Sequence, residues 1–277
     1  MEYIYLLGLV MLVSISVVLM MRFFGFSIPV GSAMGTASSL SCVPTDRGTN
    51  TAGLIASWHL DESSGGSIID SSGNGNTGTL VNGPTWVDGV HGPALQFDGN
   101  NDYLSVGTSG SLDDPASYPS GSLSLLFWFK PETSPGDEGI LEQDGQNYGG
   151  FKVRFISQGG STFLRITMFN GTGGNGVQPQ NLDTNVTFQY DTWYHVAMVY
   201  DHALQVRRWY VNGENAGEQT TTGIYSPSTD PAVDGVKIGK WSNTRNFQGV
   251  LDDVKIYSRA LARDELLADM TCLPLKT

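Results

Sequence analysis

The sequence has little cysteine and little positive charge. Its 277 residues include two cysteines, and 15 Lys and Arg stand against 27 Asp and Glu, which gives a formal net charge of −12. Such a chain repels phosphate backbones, which excludes nucleic acid as a partner. Charged residues make up only 15% of the chain, whereas glycine reaches 35 residues. That composition excludes a disordered or mainly helical protein and indicates many short strands joined by tight turns.

Charge is missing altogether from residues 3–21. A helix of that length would span about 28 Å, close to the thickness of a bilayer core. Residues 1–26 therefore predict a transmembrane helix, and the Ser- and Gly-rich residues 27–52 predict a spacer behind it. A secretory signal peptide cleaved near residues 31–33 is an alternative.

The opening stretch MEYIYLLGLVMLV allows a third interpretation. It resembles the mature start of archaeal type IV pilin-like proteins, which are made with a class III signal. The resemblance implies that Glu2 neutralises the terminal amine of a neighbouring subunit while apolar helices bundle into a filament core.

Short apolar runs between turn signals fill the chain from residue 53 onward. Leu123–Phe129 is short enough for a strand buried on both faces, SQGGST at 157–162 indicates a hairpin, and Asn212-Gly213 is a type I′ turn signal. We expect about a dozen strands and one short helix, Arg259–Met270, with Ser258 as its N-cap. The predicted fold class is all-β, a two-sheet antiparallel sandwich.

Four ordered stretches resemble the laminin-G-like, concanavalin-A-like jelly-roll domains. They are WHLDESSGGSIIDSSGNGNTGTL at 58–80, GPALQFDGNNDYLSV at 92–106, DTWYHVAMVYD with RWYVNGENAG within 191–217, and GVLDDVKIYSRAL at 249–261. The resemblance covers residues 53–270. It implies a jelly-roll domain over 53–272 that binds a partner at a surface.

Adjacent carboxylates, Asp252 and Asp253, lie within the closing strand, where Asp is disfavoured. One of the two must face inward or across a sheet edge, and a buried carboxylate needs donors or a cation. Related jelly-roll modules hold a structural Ca²⁺ between the first strand and the Asp of the last, and Ca²⁺ binds such oxygens. The resemblance therefore implies Asp61, Asp70 and Asp252 as calcium ligands. The alternative is that Asp61 caps a turn and Asp252 accepts backbone N–H bonds.

Two further features concern export. Cys42 and Cys272 bracket the β-rich region, so we expect a disulfide between them, with two free thiols as the alternative. A disulfide implies an oxidising, extracytoplasmic location. Asn170 (NGT) and Asn185 (NVT) match the N-glycosylation acceptor pattern of exported proteins.

Aromatic side chains in polar loops are the candidates for saccharide binding. Trp241 in KWSNTRNF, Tyr148 in GQNYGG and Tyr225 lie in such contexts, although packing explains each of them as well. Four other tryptophans lie in apolar runs and are predicted to be core: Trp58, Trp128, Trp193 and Trp209.

Catalytic patterns are weak in this sequence. Glycoside hydrolysis needs two carboxylates across a cleft. Glu142 and Asp144 have an i, i+2 spacing, but they fall at a loop entry beside Gly145, where we expect solvated charges. The four histidines show no metal-ligand spacing. We therefore do not expect an enzyme.

Together these features predict a surface-displayed binding or adhesion protein that recognises a glycan or another surface partner. It would be extracellular, held in the membrane by residues 3–21. The alternative is a structural subunit of an extracellular filament decorated by the β domain, and a glycoside hydrolase comes third.

Overall fold

The structure is a computed structural model that describes residues 50–107, 110–133, 136–144, 150–169, 180–221, 225, 235–242 and 244–271. The predicted N-terminal helix, most of the spacer, Glu2 and both cysteines lie outside these ranges. Within them, no helix is long and apolar enough to cross a membrane.

Eighteen strands and one α-helix make up the described part of the chain. In chain order these are β1 (Leu54–Trp58), β2 (Ser67–Ile68), β3 (Gly78–Val81), β4 (Thr85–Asp88), β5 (Pro93–Asp98), β6 (Tyr103–Val106), β7 (Leu123–Pro131), β8 (Asp137–Asp144), β9 (Gly150–Gln158), β10 (Ser161–Met168), β11 (Gln180–Asp183), β12 (Tyr194–Asp201), β13 (Val206–Val211), β14 (Glu214–Thr220), β15 (Val236–Ile238), β16 (Lys240–Trp241), β17 (Arg245–Asn246), β18 (Gln248–Tyr257) and α1 (Arg263–Thr271). Two 3-10 turns, Gly110–Leu112 and Pro115–Ser117, precede β7.

The strands form two sheets that pack face to face. Sheet 1 has the order β14-β13-β12-β7-β18-β5-β4, with β1 added alongside β18. Sheet 2 has the order β11-β10-β9-β8-β15-β6-β3-β2, with the β16–β17 hairpin attached to β8. This is the predicted all-β sandwich, and the jelly-roll fold class is confirmed.

Cross-strand register separates the two faces of sheet 2. Residues that face each other across neighbouring strands share a face, and the next residue along each strand lies on the opposite one. One row across the sheet is apolar and faces the core: Leu80, Leu104, Ile238, Leu141, Val153, Ile166 and Leu182. The adjoining row is polar and faces outward: Ser67, Thr79, Ser105, Lys237, Glu142, Lys152, Thr167 and Asn181.

Strand β18 is the centre of sheet 1. It pairs with β7 on one side, and on the other side first with β5 and then with β1. The change of partner coincides with a register shift between Asp252 and Lys255 and with a positive φ of 46° at Asp253. On the outer face of this sheet a second apolar cluster, which includes Leu126 and Leu266, joins β7 to α1.

Local sequence signals account for several turns. The β9–β10 hairpin closes through Gly159-Gly160, and Asn212-Gly213 turns with positive φ at both residues, as predicted. The predicted start of the C-terminal helix was wrong. Ser258 donates from its backbone to the Gly53 carbonyl, and the helix begins at Arg263, where the Glu265 carboxylate accepts the Ala262 N–H.

Candidate functional site

The β16–β17 hairpin lies on the outer face of sheet 2, over strand β8. Asn246 of β17 pairs with Gly139 of β8. A Cβ atom at Gly139 would come 2.0 Å from the Trp241 backbone nitrogen and 2.4 Å from the Lys240 carbonyl carbon, a separation that no side chain tolerates. The missing side chain at position 139 therefore seats the hairpin and fixes the place of Trp241.

Trp241 is half-buried, and three cationic groups surround its ring. The Arg154 Cζ atom lies 4.8 Å from the ring centroid, the Lys152 Nζ atom 5.1 Å and the Arg245 Cζ atom 5.9 Å. Cations at such distances are attracted to the indole π-system. The hairpin therefore presents an aromatic ring within a cationic setting.

Hydrogen bonds extend this setting along the face. Arg154 donates to the Asp137 carboxylate at 2.8 Å and to the Thr167 hydroxyl at 3.3 Å, and that hydroxyl donates to the Asn181 side-chain oxygen at 2.7 Å. Lys240 lies 4.3 Å above the Tyr103 ring. A face with a half-buried aromatic ring, guanidinium donors and side-chain amides can stack a sugar ring and bind hydroxyl or carboxylate oxygens.

Glu142 differs from its prediction as a solvated loop charge. It lies within β8, is only 4% exposed, and its carboxylate lies 3.7 Å from the Lys152 ammonium group. The sequence pattern misled because Gly145 signals a turn, whereas β8 continues to Asp144.

The other aromatic candidates for saccharide binding are Tyr225 and Tyr148. Tyr225 is 2% exposed, its ring packs 5.0 Å from that of Tyr118, and its hydroxyl donates to the Gln143 side chain at 2.6 Å. It belongs to the core, so packing, the alternative given for it, describes Tyr225. Tyr148 lies outside the described residues, as does Asn170. Asn185 is exposed directly after β11, and its glycosylation stays a prediction.

The four tryptophans predicted to be core differ in how deeply they are buried. Trp58 and Trp209 are fully buried, as expected. Trp128 on β7 and Trp193 just before β12 are half-buried. Trp193 has the Lys130 ammonium group 5.6 Å from its ring centroid. It thus resembles Trp241 in exposure and in its cationic neighbour, but it lies at the other sheet.

Asp252 is held by the turn between β4 and β5. Its Oδ2 atom accepts the backbone N–H of Val90 at 2.8 Å and that of His91 at 3.1 Å. Its Oδ1 atom is buried and has no hydrogen-bond partner among the described residues. Burial, and then the neighbouring charge of Asp253, raise the pKa of Asp252 to about 7. The predicted alternative, acceptance of backbone N–H bonds, describes this residue.

Asp253 binds two imidazoles. Its two oxygens lie 2.8 Å from His59 Nδ1 and 2.6 Å from His91 Nδ1. Asp252 keeps the regular register opposite Trp128, and the bulge at Asp253 brings the next carboxylate to the same β4–β5 turn, so both carboxylates are buried there. The polar cluster continues on the same face of sheet 1 through His195, which lies 3.4 Å from Asp269 on α1.

Asp70 organises the loop between β2 and β3. Its carboxylate accepts backbone N–H bonds from Ser57, Ser72 and Asn76 at 2.9–3.0 Å, and the Ser72 hydroxyl at 2.8 Å. These four donors compensate the buried charge.

Asp61, the third predicted calcium ligand, is half-buried just after β1. Over the described ranges, no group of three or more His, Cys, Asp or Glu side chains is arranged to hold a metal ion. The structure therefore does not gather Asp61, Asp70 and Asp252 into one such group, and calcium binding stays a prediction.

Sequence reasoning missed the residues around Trp241 and Asp253. Lys152 and Arg154 alternate with apolar residues in FKVRF, a period of two that already places both on one face. No comparable signal pairs His59 and His91 with Asp253, because the partners are 194 and 162 residues apart in the chain.

Comparison with known proteins agrees with this architecture. The sequence profile of the concanavalin A-like lectin/glucanases superfamily matches residues 98–267. The chain belongs to this superfamily. No curated protein sequence matches the chain.

Solved structures share the fold at low sequence identity. The binding domain of Paraclostridial Mosquitocidal Protein 1 is 19% identical, with a TM-score of 0.59 over 79% of this chain and 52% of that one. Domain 4 of AbnA, a GH43 extracellular arabinanase from Geobacillus stearothermophilus, solved with arabinotriose, is 20% identical, with a TM-score of 0.56 over 78% and 97%. The binding domain of Botulinum Neurotoxin DC, solved in complex with SialylT, is 15% identical, with a TM-score of 0.57 over 81% and 52%. The chain spans about half the length of the two toxin domains.

Proposed function

We propose that this domain is a non-catalytic glycan-binding module and that its ligand binds at the outer face of sheet 2, around Trp241. The observation that carries the proposal is the half-buried Trp241 ring beside the guanidinium groups of Arg154 and Arg245. Saccharide sites combine an aromatic surface with a few well-placed polar groups. The arabinotriose and SialylT complexes of structurally similar domains support the same class of ligand.

Catalysis is not part of the proposal. A glycosidase needs an acid and a second carboxylate across an accessible cleft. Glu142, the most deeply buried described carboxylate on the outer face of sheet 2, lies next to Lys152 and is nearly closed to solvent. This placement favours a structural ion pair over an acid catalyst. We therefore expect that any oligosaccharide bound by the domain is not hydrolysed.

Glycan-array binding tests the proposal. We expect the wild-type domain to bind a defined set of glycans and Trp241→Ala to lose that binding. Trp193→Ala is the matched control, because Trp193 is also half-buried with a cation near its ring but lies at sheet 1. Equal loss in both variants, or no loss with Trp241→Ala, would remove Trp241 from the site.

Display outside the cell completes the proposal. Residues 3–21 would anchor the domain in a membrane or, in the alternative, assemble into a filament core with Glu2 between subunits. A Cys42–Cys272 disulfide, structural calcium and glycosylation of Asn170 and Asn185 are further parts of it. Electron microscopy of the purified full chain separates the two arrangements, since only the second produces filaments.

A further inference from the structure

We propose that the saccharide bound at this face is acidic, so that a carboxylate or sulfate group of the glycan pairs with cations around the β16–β17 hairpin. This inference rests on the proposed function and specifies its ligand class. Its basis is the excess of cations among the described side chains of this face.

The described side chains on the outer face of sheet 2 carry a net positive charge, although the chain as a whole is acidic. Its described side chains include six cations: Lys152, Arg154, Arg165, Lys237, Lys240 and Arg245. They include three carboxylates: Asp137, Glu142 and Asp183. Over the whole chain the balance is the reverse, with 27 acidic residues against 15 basic ones. A local excess of one sign attracts ligands of the opposite sign.

Half of these cations are already paired. Arg154 pairs with Asp137, and Lys152 lies near Glu142. Arg165 forms a bidentate pair with Asp183, with hydrogen bonds of 2.5 and 2.6 Å. Within each of these three pairs the cation and the carboxylate neutralise each other, and the pairs link neighbouring strands of the sheet. They leave its charge excess to the remaining three cations.

The other three cations are accessible. Lys237 and Lys240 are half-buried and Arg245 is exposed, and none of them forms an ion pair with a carboxylate of the described residues. Lys240 and Arg245 come from the two strands of the hairpin that carries Trp241, so charge and ring are presented together.

Recognition of an acidic sugar fits this combination. A guanidinium or ammonium group binds a carboxylate through charge-assisted hydrogen bonds, which are shorter and about twice as strong as neutral ones. The ring of Trp241 can stack on the sugar while Lys240 or Arg245 binds the acid. The overall charge of −12 opposes long polyanions, which favours a short glycan with isolated acid groups.

The test compares glycans that differ only in the acid group, such as sialyllactose with lactose and trigalacturonate with its neutral counterpart. We expect the wild type to bind the acidic member of a pair at least about 10-fold more tightly, with affinity falling as NaCl rises from 20 to 200 mM. Lys240→Gln combined with Arg245→Gln should remove most of that preference. The matched control, Arg208→Gln, changes a half-buried arginine of sheet 1 that is paired with Glu218 and should leave it unchanged.

The outcomes separate the two proposals. Equal binding of acidic and neutral members, unaffected by the double variant but lost in Trp241→Ala, would overturn the acidic class and leave the glycan module standing. Equally tight binding of double-stranded DNA would also overturn it, because simple polyanion attraction would then explain the affinity. No binding to any glycan would overturn the proposed function itself.

Discussion

The two outer faces of the sandwich carry the same kinds of ionic side chain but enclose them differently. On sheet 1, Asp252, Asp253 and Lys255 are at most 3% exposed. Lys255 pairs with Asp269 of helix α1, which packs on that face. On sheet 2, Lys240 is half-buried and Arg245 is exposed beside a half-buried tryptophan.

This difference separates structural charge from binding charge. In a buried ion pair, the attraction between the two charges offsets the free-energy cost of removing them from water. Removing one member therefore leaves an uncompensated buried charge. An exposed cation has little effect on stability and can bind something else. Substitution should therefore change stability at Lys255 of sheet 1, but binding at Lys240 and Arg245 of sheet 2.

The largest effect is expected at Lys255. Lys255→Met should lower the free energy of unfolding by about 3–5 kcal/mol, because the buried Asp269 carboxylate would lose its ammonium partner. Urea denaturation at pH 7 measures this. Adding Asp269→Leu should recover most of the loss, whereas Lys240→Met on sheet 2 should change stability by less than about 0.5 kcal/mol. A single variant as stable as the wild type would break the comparison.

Asp252 should make stability depend on pH. Its pKa of about 7 in the folded state lies above the ordinary value of 3.8. The folded protein therefore holds this proton more tightly, and that contribution is complete below about pH 4 and is lost as pH rises through 7.

Asp252→Asn should remove this decline, so the variant gains on the wild type as pH rises from 4 to 8. Denaturation midpoints at four pH values measure it. Asp98→Asn serves as control, because a hydrogen bond from Asn100 lowers the pKa of the Asp98 carboxyl and the substitution should leave the decline in place. Parallel profiles for wild type and Asp252→Asn would contradict the assignment.

Gly139 links the stability of sheet 2 to its binding hairpin. Gly139→Ala should cost about 1–3 kcal/mol, since the new Cβ would overlap the backbone between Lys240 and Trp241. It should also move Trp241 and weaken glycan binding. Gly136→Ala, three residues away with open space around its Cβ position, should do neither. Chemical denaturation and tryptophan fluorescence report the two effects, and equal behaviour of both variants would rule out the seating role.

The general fold could be predicted from local sequence patterns, because the alternation of apolar and polar residues and the preferred turn residues are visible within short stretches of sequence. The run FKVRF gives both the core side and the outer side of β9, and Asn212-Gly213 gives the turn between β13 and β14. Tyr225 shows where this fails. The polar residues around it in the sequence suggested a loop. In the structure, however, its ring packs against Tyr118 and its hydroxyl donates a hydrogen bond to Gln143, contacts that only the folded chain creates.

The candidate site depended on still longer-range contacts. The place of Trp241 is set by a glycine about a hundred residues earlier, and the bulge at Asp253 is satisfied by two histidines from separate loops. A strand-embedded Asp-Asp pair did indicate that donors or a cation were needed. It could not indicate which, because imidazoles, backbone N–H groups and metal ions meet the same requirement.

The smallest expected change in stability is at Trp241 itself. Trp241→Ala removes cation–π contacts with Lys152, Arg154 and Arg245, each worth about 0.5–1 kcal/mol at a partly exposed site. Because those cations then gain water, we expect a net loss of only about 1 kcal/mol together with complete loss of glycan binding. Trp209→Ala, which empties a fully buried site, should cost about 3–5 kcal/mol. Urea denaturation of the two variants decides it: a loss at Trp241 as large as that at Trp209 would make the ring a packing residue.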